Sequence, residues 1–256
     1  MQIKKMGMKI LTSLLPDRQS ILPILGGPLA GRKLCCRFKI RPHYLLGHYE
    51  KEVMEAISEN LRPGHIAYDI GANIGYLTLA MAKRVSQKKG GRVYAFEPSP
   101  NTFLLLATNT QLNRQWPVEP YQVALSDTSG IGVFSSFDYD VVSRLGDHTS
   151  QYHDAQTSHV RVETLDSFIS QFELPPPDFV KIDVEGFELH VLRGMRHLLE
   201  TAHPTMIIET HTLEENGVRT VDSIDQVIAM LTEIGYTCTC IQKTNPQQCL
   251  AVWKQT

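Results

Sequence analysis

The sequence predicts an α/β protein: an open, mostly parallel sheet with helices on both faces. Three observations predict it. From residue 65 onward, short apolar runs alternate with longer runs of helical period. The first of these strands runs straight into a glycine-containing turn that opens a helix. The chain closes on two strands with no helix between them. Strand–helix alternation demands crossover connections, and crossovers give parallel strands covered on both faces. The 256 residues, 42% hydrophobic and 20% charged, can bury a full core and do not read as a disordered chain.

The elements follow in order. Residues 1–64 carry scattered Pro and Gly, among them Pro16, Pro23, Gly26, Gly27 and Pro28, and read as an irregular extension rather than a domain. Within it Arg32–Ile40 reads as a strand. Tyr49–Leu61 reads as a helix, with Val53, Ile57 and Leu61 at four-residue spacing, stopped by Arg62-Pro63-Gly64. Then come strand Ile66–Ile70, helix Ile74–Val85, strand Arg92–Phe96, helix Thr102–Leu112 and strand Val118–Leu125. Residues 126–164 break the alternation, and Gly130, Gly132 and Gly146 among polar residues suggest a β-rich excursion with a mobile loop. Pro175-Pro176-Pro177 is a stiff connector into strand Val180–Val184. A helix follows with Leu189, Leu192, Met195 and Leu199 on one stripe, then strand Thr205–Glu209 and helix Val221–Ile234. Strands Tyr236–Gln242 and Gln248–Trp253 are joined through Thr244-Asn245-Pro246 as a hairpin.

A net charge of −2 gives no footprint for a nucleic-acid partner. The five cysteines are odd in number and contain no Cys-x-x-Cys, which predicts a reduced, cytoplasmic protein without a structural zinc site. Cys238 and Cys240 share one strand face and are expected in the core. At the N-terminus, Ile3, Met6, Ile10 and Leu14 recur at helical spacing between lysines. A docked terminal helix is the plain reading, and peripheral membrane contact the less favoured one.

Four strand ends carry polar motifs. Asp69-Ile70-Gly71-Ala72-Asn73-Ile74-Gly75 follows the first strand of the alternating part. Gly71 permits a tight turn, and Gly75 permits close approach of helix and strand. A pyrophosphate-binding fingerprint would need glycines where Asn73 and Tyr76 stand, and Asp69 would repel phosphates. The turn suits a ligand with positive charge. Glu97, roughly 20 residues past the turn at the next strand end, is placed to accept hydrogen bonds from ribose hydroxyls. Ser126 and Asp127 at the third end are placed to reach an adenine amino group. A nucleoside with positive charge describes S-adenosylmethionine and excludes NAD.

The blocks DIGANIGY (69–76), AFEPSP (95–100), VALSD (123–127), TLDSF (164–168), VKIDVEGFELHVLRG (180–194) and IIETH (207–211) resemble, in that order, the FkbM family of S-adenosylmethionine-dependent methyltransferases. The resemblance implies a class I, Rossmann-like methyltransferase fold with a seven-stranded sheet and one antiparallel strand. It also implies S-adenosylmethionine as cofactor and O-methylation of a small-molecule or glycan acceptor. It places Asp69, Gly71 and Asn73 by the methionine side of the cofactor, Glu97 by the ribose, and Ser126 and Asp127 by the adenine. Residues 65–256 would form the methyltransferase domain and residues 1–64 a lid over the acceptor. A macromolecular acceptor and a non-catalytic binding module are the alternatives.

Asp183-Val184-Glu185-Gly186-Phe187-Glu188 follows the fourth strand end, where an open sheet places its ligand. Asp183 or Glu185 is a candidate general base, and His211 after the next strand is a third. The same acids form an oxygen-ligand set for a divalent cation, the less favoured form, so no residue is assigned as a metal ligand.

Overall fold

The computed structural model describes residues 13–136, 143–145, 156–211, 213–215, 218–220, 224–241 and 247–254. The N-terminal heptad residues Ile3, Met6 and Ile10, Gly146, Val221, and the Thr244–Pro246 turn lie outside them.

The extension forms strands β1 (Ser20–Pro23) and β2 (Lys33–Cys36), paired antiparallel, then helices α1 (Pro42–Leu46) and α2 (Lys51–Asn60). The expected strand at 32–40 is thus shorter than its apolar pattern. From residue 66 come β3 (Ile66–Ile70), α3 (Tyr76–Val85), β4 (Arg92–Phe96), α4 (Pro100–Leu112) and β5 (Val118–Tyr121). The excursion follows: β6 (Ala124–Leu125), β7 (Gly130–Ser136), β8 (Ser143–Leu145) and β9 (Gln156–Glu163). The chain returns through α5 (Leu165–Phe172), β10 (Phe179–Ile182), α6 (Glu188–Gly194), α7 (Arg196–Thr201) and β11 (Thr205–Glu209). It ends with β12 (Leu213–Glu215), β13 (Val218–Thr220), α8 (Ile224–Ile234), β14 (Tyr236–Cys240) and β15 (Gln248–Trp253).

The main sheet has seven strands in the order β5-β4-β3-β10-β11-β15-β14. Only β15 runs against its neighbours, antiparallel to both β11 and β14. This is the expected class I methyltransferase sheet. Strand order reverses between β3 and β10, and that crevice is where such a sheet binds its ligand.

Alternation along the strands divides the core into two layers. Ala67, Phe179 and Ile207 bury on one face with Leu34, Phe38, Leu45, Val53, Ile57 and Leu61 of residues 13–64. Their neighbours Tyr68, Val180 and Ile208 bury on the other face with Leu192, Leu199, Val227 and Leu231. Residues 24–61 therefore share a core with the sheet.

Several boundaries depart from the sequence pattern. Helix α3 starts at Tyr76, not Ile74, because Asn73 (φ 51°) and Gly75 (φ 88°) are left-handed and cannot propagate a helix. The run at 118–125 splits: β5 joins the main sheet, and β6 pairs with β9 in the four-stranded excursion sheet. The stripe at 189–199 is two helices, broken at Met195 (φ −119°, ψ 24°). Helix α5 was not foreseen; Thr164 caps it by accepting from the Ser167 amide at 3.2 Å. Cys238 is half-buried and Cys240 is exposed, so the expected burial of both fails. Strand β14 is an edge strand, and this face of it meets solvent at its end.

Candidate active site

The turn after β3 is built around the end of β4. The amides of Gly71 and Ala72 both donate to the Phe96 carbonyl at 3.0 Å. The Asn73 amide donates to Glu97 Oε2 at 2.9 Å, and the Ser99 amide donates to Glu97 Oε1 at 2.9 Å. Glu97 is 6% exposed. Burial pushes its carboxyl up to about 7, against the pull of the Ser99 and Asn73 amides. Each carboxylate oxygen has spent one acceptor position, so both keep capacity for a ligand hydroxyl.

Gly71 (φ 77°) is required by a close approach as well as by its conformation. A Cβ there would stand 1.8 Å from the Asp183 carbonyl oxygen. The turn after β3 and the turn after β10 therefore touch, and one cleft of about 700 Å³, part of it open to solvent, runs between them. Gly71, Asn73, Glu97 and Thr102 line one side; Asp183, Glu185 and Phe187 line the other. Phe96, Leu125 and Phe134 supply apolar surface suited to a flat ring.

Some expected residues stand elsewhere. Asp69 is fully buried beneath the turn, accepting from Thr78 Oγ1 at 2.5 Å and facing Lys181 Nζ at 3.4 Å. It does not line the cleft. Gly75 also lies off the cleft, capping α3 beside Leu106. On the third strand end the lining stops at Leu125. The Ser126 amide donates to the Glu163 carbonyl at 2.9 Å, and Ser126 Oγ to Asp127 Oδ1 at 3.3 Å. The side chains expected to reach an adenine amino group thus meet each other, beside backbone that pairs with the end of β9.

The turn after β10 and the residue two past β11 bring Asp183, Glu185 and His211 together. Glu185 (φ 55°) and Gly186 (φ 101°) bend the chain after β10, so that residues 183 and 185 face the same histidine. His211 Nε2 stands 3.6 Å from Asp183 Oδ1 and 3.7 Å from Glu185 Oε2. Its Nδ1 meets Glu188 Oε1 at 3.0 Å. Glu188 is 0% exposed and also accepts from the Gly186 amide at 3.0 Å. Burial alone would lower the His211 pKa, but Glu188, Asp183 and Glu185 outweigh it and push it up to about 9. One atom from each of Asp183, Glu185 and His211 lies within 4.8 Å of the others, a set able to hold a metal ion.

Sequence reasoning missed three contributors. Lys181 is 5% exposed and donates to the Gly71 carbonyl at 2.9 Å while facing Asp183 at 3.2 Å. Burial disfavours its charge, yet Asp183 and Asp69 keep the ammonium protonated well above the ordinary lysine range. Glu50, from the extension, feels the charges of Glu209 and Asp183. Glu188, one of the acids grouped in sequence after the fourth strand, meets His211 Nδ1, a contact the sequence did not predict. The KIDVEGFE block contained the signal for Lys181 and Glu188; nothing local signalled Glu50.

No helix among the described residues is long and apolar enough to cross a membrane. A family model described as the methyltransferase FkbM domain matches residues 69–238. The chain is 30% identical over 162 residues to the hexuronic acid methyltransferase AglP of Haloferax volcanii, covering 63% of this chain and 62% of that protein. It is 26% identical over 204 residues to the 31-O-demethyl-FK506 methyltransferase FkbM of Streptomyces tacrolimicus, covering 69% of this chain and 74% of that one. Among solved structures, the methyltransferase FkbM from Methylobacillus flagellatus aligns over 97% of this chain and 58% of its own, with 16% identity and a TM-score of 0.48. The family match spans well over half the chain and includes both turns that form the cleft, so the chain belongs to the FkbM family of S-adenosylmethionine-dependent methyltransferases.

Proposed function

We propose that this protein transfers the methyl group of S-adenosylmethionine to a hydroxyl of a small molecule or sugar. The observation that carries the reading is the single cleft with Glu97 on one wall and Asp183 and Glu185 on the other. When bound, S-adenosylmethionine supplies an electrophilic methyl carbon on a sulfonium sulfur. Glu97 accepts from the ribose hydroxyls, Gly71 and Asn73 give the backbone turn against which the methionine end lies, and Leu125, Phe134 and Phe187 exclude water. Asp183 or Glu185 takes the proton of the acceptor hydroxyl as its oxygen attacks. His211 is protonated at neutral pH in the free protein, so a carboxylate is the better base. Asp69, the intended partner for positive charge, works instead by holding Lys181 and through it the turn. The relatives named as a hexuronic acid methyltransferase and a 31-O-demethyl-FK506 methyltransferase support an acceptor of this class. The carboxylates at the cleft mouth speak against a polyanionic nucleic acid.

The test is methyl transfer from labelled S-adenosylmethionine to a panel of sugars and hydroxylated metabolites. Asp183→Asn is expected to lower the rate by about 10²–10⁴-fold and leave S-adenosylmethionine affinity by calorimetry nearly unchanged. Tight binding of NAD with no S-adenosylmethionine signal overturns the reading. S-adenosylmethionine binding without transfer to any acceptor moves it to a non-catalytic module.

A further inference from the structure

We propose that Asp183, Glu185 and His211 form a binding site for a divalent metal ion of borderline hardness, of the Mn²⁺ class, on the acceptor side of the cleft. The role of that ion, holding an acceptor hydroxyl, rests on the methyltransferase reading above; its binding does not.

The spacing fits. Two ligand atoms each about 2.1–2.2 Å from a common ion stand roughly 3.0–3.6 Å apart in octahedral or tetrahedral geometry. His211 Nε2 is 3.6 Å from Asp183 Oδ1 and 3.7 Å from Glu185 Oε2. The set as a whole spreads to 4.8 Å, so the Asp183 and Glu185 carboxylates must rotate toward each other to close on one ion, a movement open to side chains that are 21% and 25% exposed.

The support behind the histidine is independent of those spacings. Metal-bound histidines present one ring nitrogen to the ion and donate the other N–H to a fixed acceptor, commonly a carboxylate. Glu188 supplies that acceptor at Nδ1. It is fully buried and pinned by the Gly186 amide, and its second oxygen, Oε2, has no hydrogen-bond partner. A buried carboxylate so placed adds a third negative charge beside Asp183 and Glu185, which favours a divalent ion there over a single proton. With the Nδ1 N–H held by Glu188, Nε2 is the ring nitrogen that faces the Asp183 and Glu185 oxygens, and in the free protein a proton lies between them. A divalent ion displaces that proton and takes its place between the nitrogen and the two carboxylates. The donor set, one imidazole nitrogen and two carboxylate oxygens, suits Mn²⁺ better than Mg²⁺, which favours oxygen alone. Three protein ligands leave positions open, so an acceptor hydroxyl bound there is both oriented and acidified.

The experiment is a Mn²⁺ titration of the chelator-treated full-length protein, reading free Mn²⁺ by electron paramagnetic resonance. One site per chain is expected. His211→Gln and Glu185→Gln should abolish it, and Glu188→Gln should weaken it by about 10–100-fold, as for loss of a partner behind a ligand. Glu97→Gln, on the opposite wall, should bind Mn²⁺ as the unaltered protein does. Circular dichroism confirms that each variant is folded. Absence of Mn²⁺ binding, or equal binding by the His211→Gln variant, overturns the proposal. The transfer assay is scored apart: Mn²⁺ bound with no methyl transfer keeps the site and removes its role, whereas transfer undiminished in chelator with no Mn²⁺ bound removes the site and keeps the enzyme.

Discussion

Lys181 stands opposite Asp69 in the parallel register of β10 and β3, and its ammonium is shared between Asp69 at 3.4 Å, Asp183 at 3.2 Å and the Gly71 carbonyl at 2.9 Å. One side chain at the point of strand-order reversal thus ties the cofactor turn to the acceptor turn. Lys181→Met would leave Asp69 buried with its charge uncompensated. The unfolding free energy is expected to fall by about 3–5 kcal/mol, measured by denaturant titration. Asp69→Asn combined with Lys181→Met should cost less than the sum of the two single changes, because the pair is coupled. A loss for Lys181→Met no larger than that of an exposed lysine would show that the ammonium does not anchor the turns.

Gly71 and Gly90 give a matched comparison of space against backbone strain. Both have positive φ, 77° and 97°, but a Cβ on Gly71 meets the Asp183 carbonyl at 1.8 Å while one on Gly90 meets nothing within 4 Å. Gly90→Ala pays only the left-handed conformation, about 1–2 kcal/mol. Gly71→Ala must also push the two turns apart, so it should lower the melting temperature further and weaken S-adenosylmethionine binding. Equal melting temperatures for the two variants would mean that the turns separate without cost.

The parts of this fold that were legible in sequence are those whose cause is local. Strands β3, β4, β11 and β15 fall where their apolar runs fall. The glycine turn was legible because Gly71 and Gly75 mark left-handed backbone by their identity. Asn73 and Glu185 adopt the same region with nothing in their identity to require it, so the late start of α3 and the bend that turns Glu185 toward His211 were not visible. Lys181 was quoted within its motif, yet its partners depend on the β3–β10 register, a pairing between residues 112 apart in sequence. The same holds for Ser126, whose amide is consumed by β9, and for Glu50, which α2 carries to the end of β11. Residues at all four strand ends line one cleft; which side chains face it was decided by long-range pairing.

The pH dependence of cofactor binding should report Glu97. Its carboxyl titrates near 7 because burial disfavours the charge. The charged form accepts hydrogen bonds from ribose hydroxyls, so affinity should climb with pH by up to about tenfold per unit below 7 and level off above it. Glu97→Gln should bind more weakly by about 1.5–3 kcal/mol and lose this slope. The sign for stability is opposite. A carboxyl whose folded pKa lies above its ordinary 4.5 favours the fold when protonated, and that contribution is lost as pH rises from 4.5 through about 7. Calorimetric titrations between pH 6 and 8 check the binding slope; a flat profile in the unaltered protein would remove Glu97 from the ribose.

Glu50 offers a test of whether the extension belongs to the acceptor site. It caps the N-terminus of α2 in a left-handed conformation (φ 43°, ψ 59°), which a glutamate adopts only at a cost. Helix α2 packs on β11, which brings this residue beside the strand end carrying Glu209. Its carboxyl is pushed up to about 7, first by burial and then by the charges of Glu209 and Asp183, while a hydrogen bond from Tyr49 opposes the shift. Glu50 Oε2 is buried without a hydrogen-bond partner. Tyr49 is itself held in place, stacked on His43 at 5.3 Å and edge-on to Tyr76 at 5.6 Å. The charge of this strained, half-buried carboxylate is disfavoured by burial and like charges and supported only in part by Tyr49 and the Lys181 ammonium. Glu50→Gln is therefore expected to raise the melting temperature, since it removes a charge that burial, Glu209 and Asp183 disfavour more than Tyr49 and Lys181 support it. If the carboxylate instead accepts a hydrogen bond from the acceptor, the same change should lower kcat/KM for that acceptor by about 10–100-fold, the loss of one hydrogen bond to a charged group. Affinity for S-adenosylmethionine should stay level, because Glu50 is not among the residues that line the cofactor cleft. A more stable variant with unaltered kcat/KM would make the extension a structural wall, and a weakened hold on S-adenosylmethionine would place Glu50 on the wrong side of the cleft.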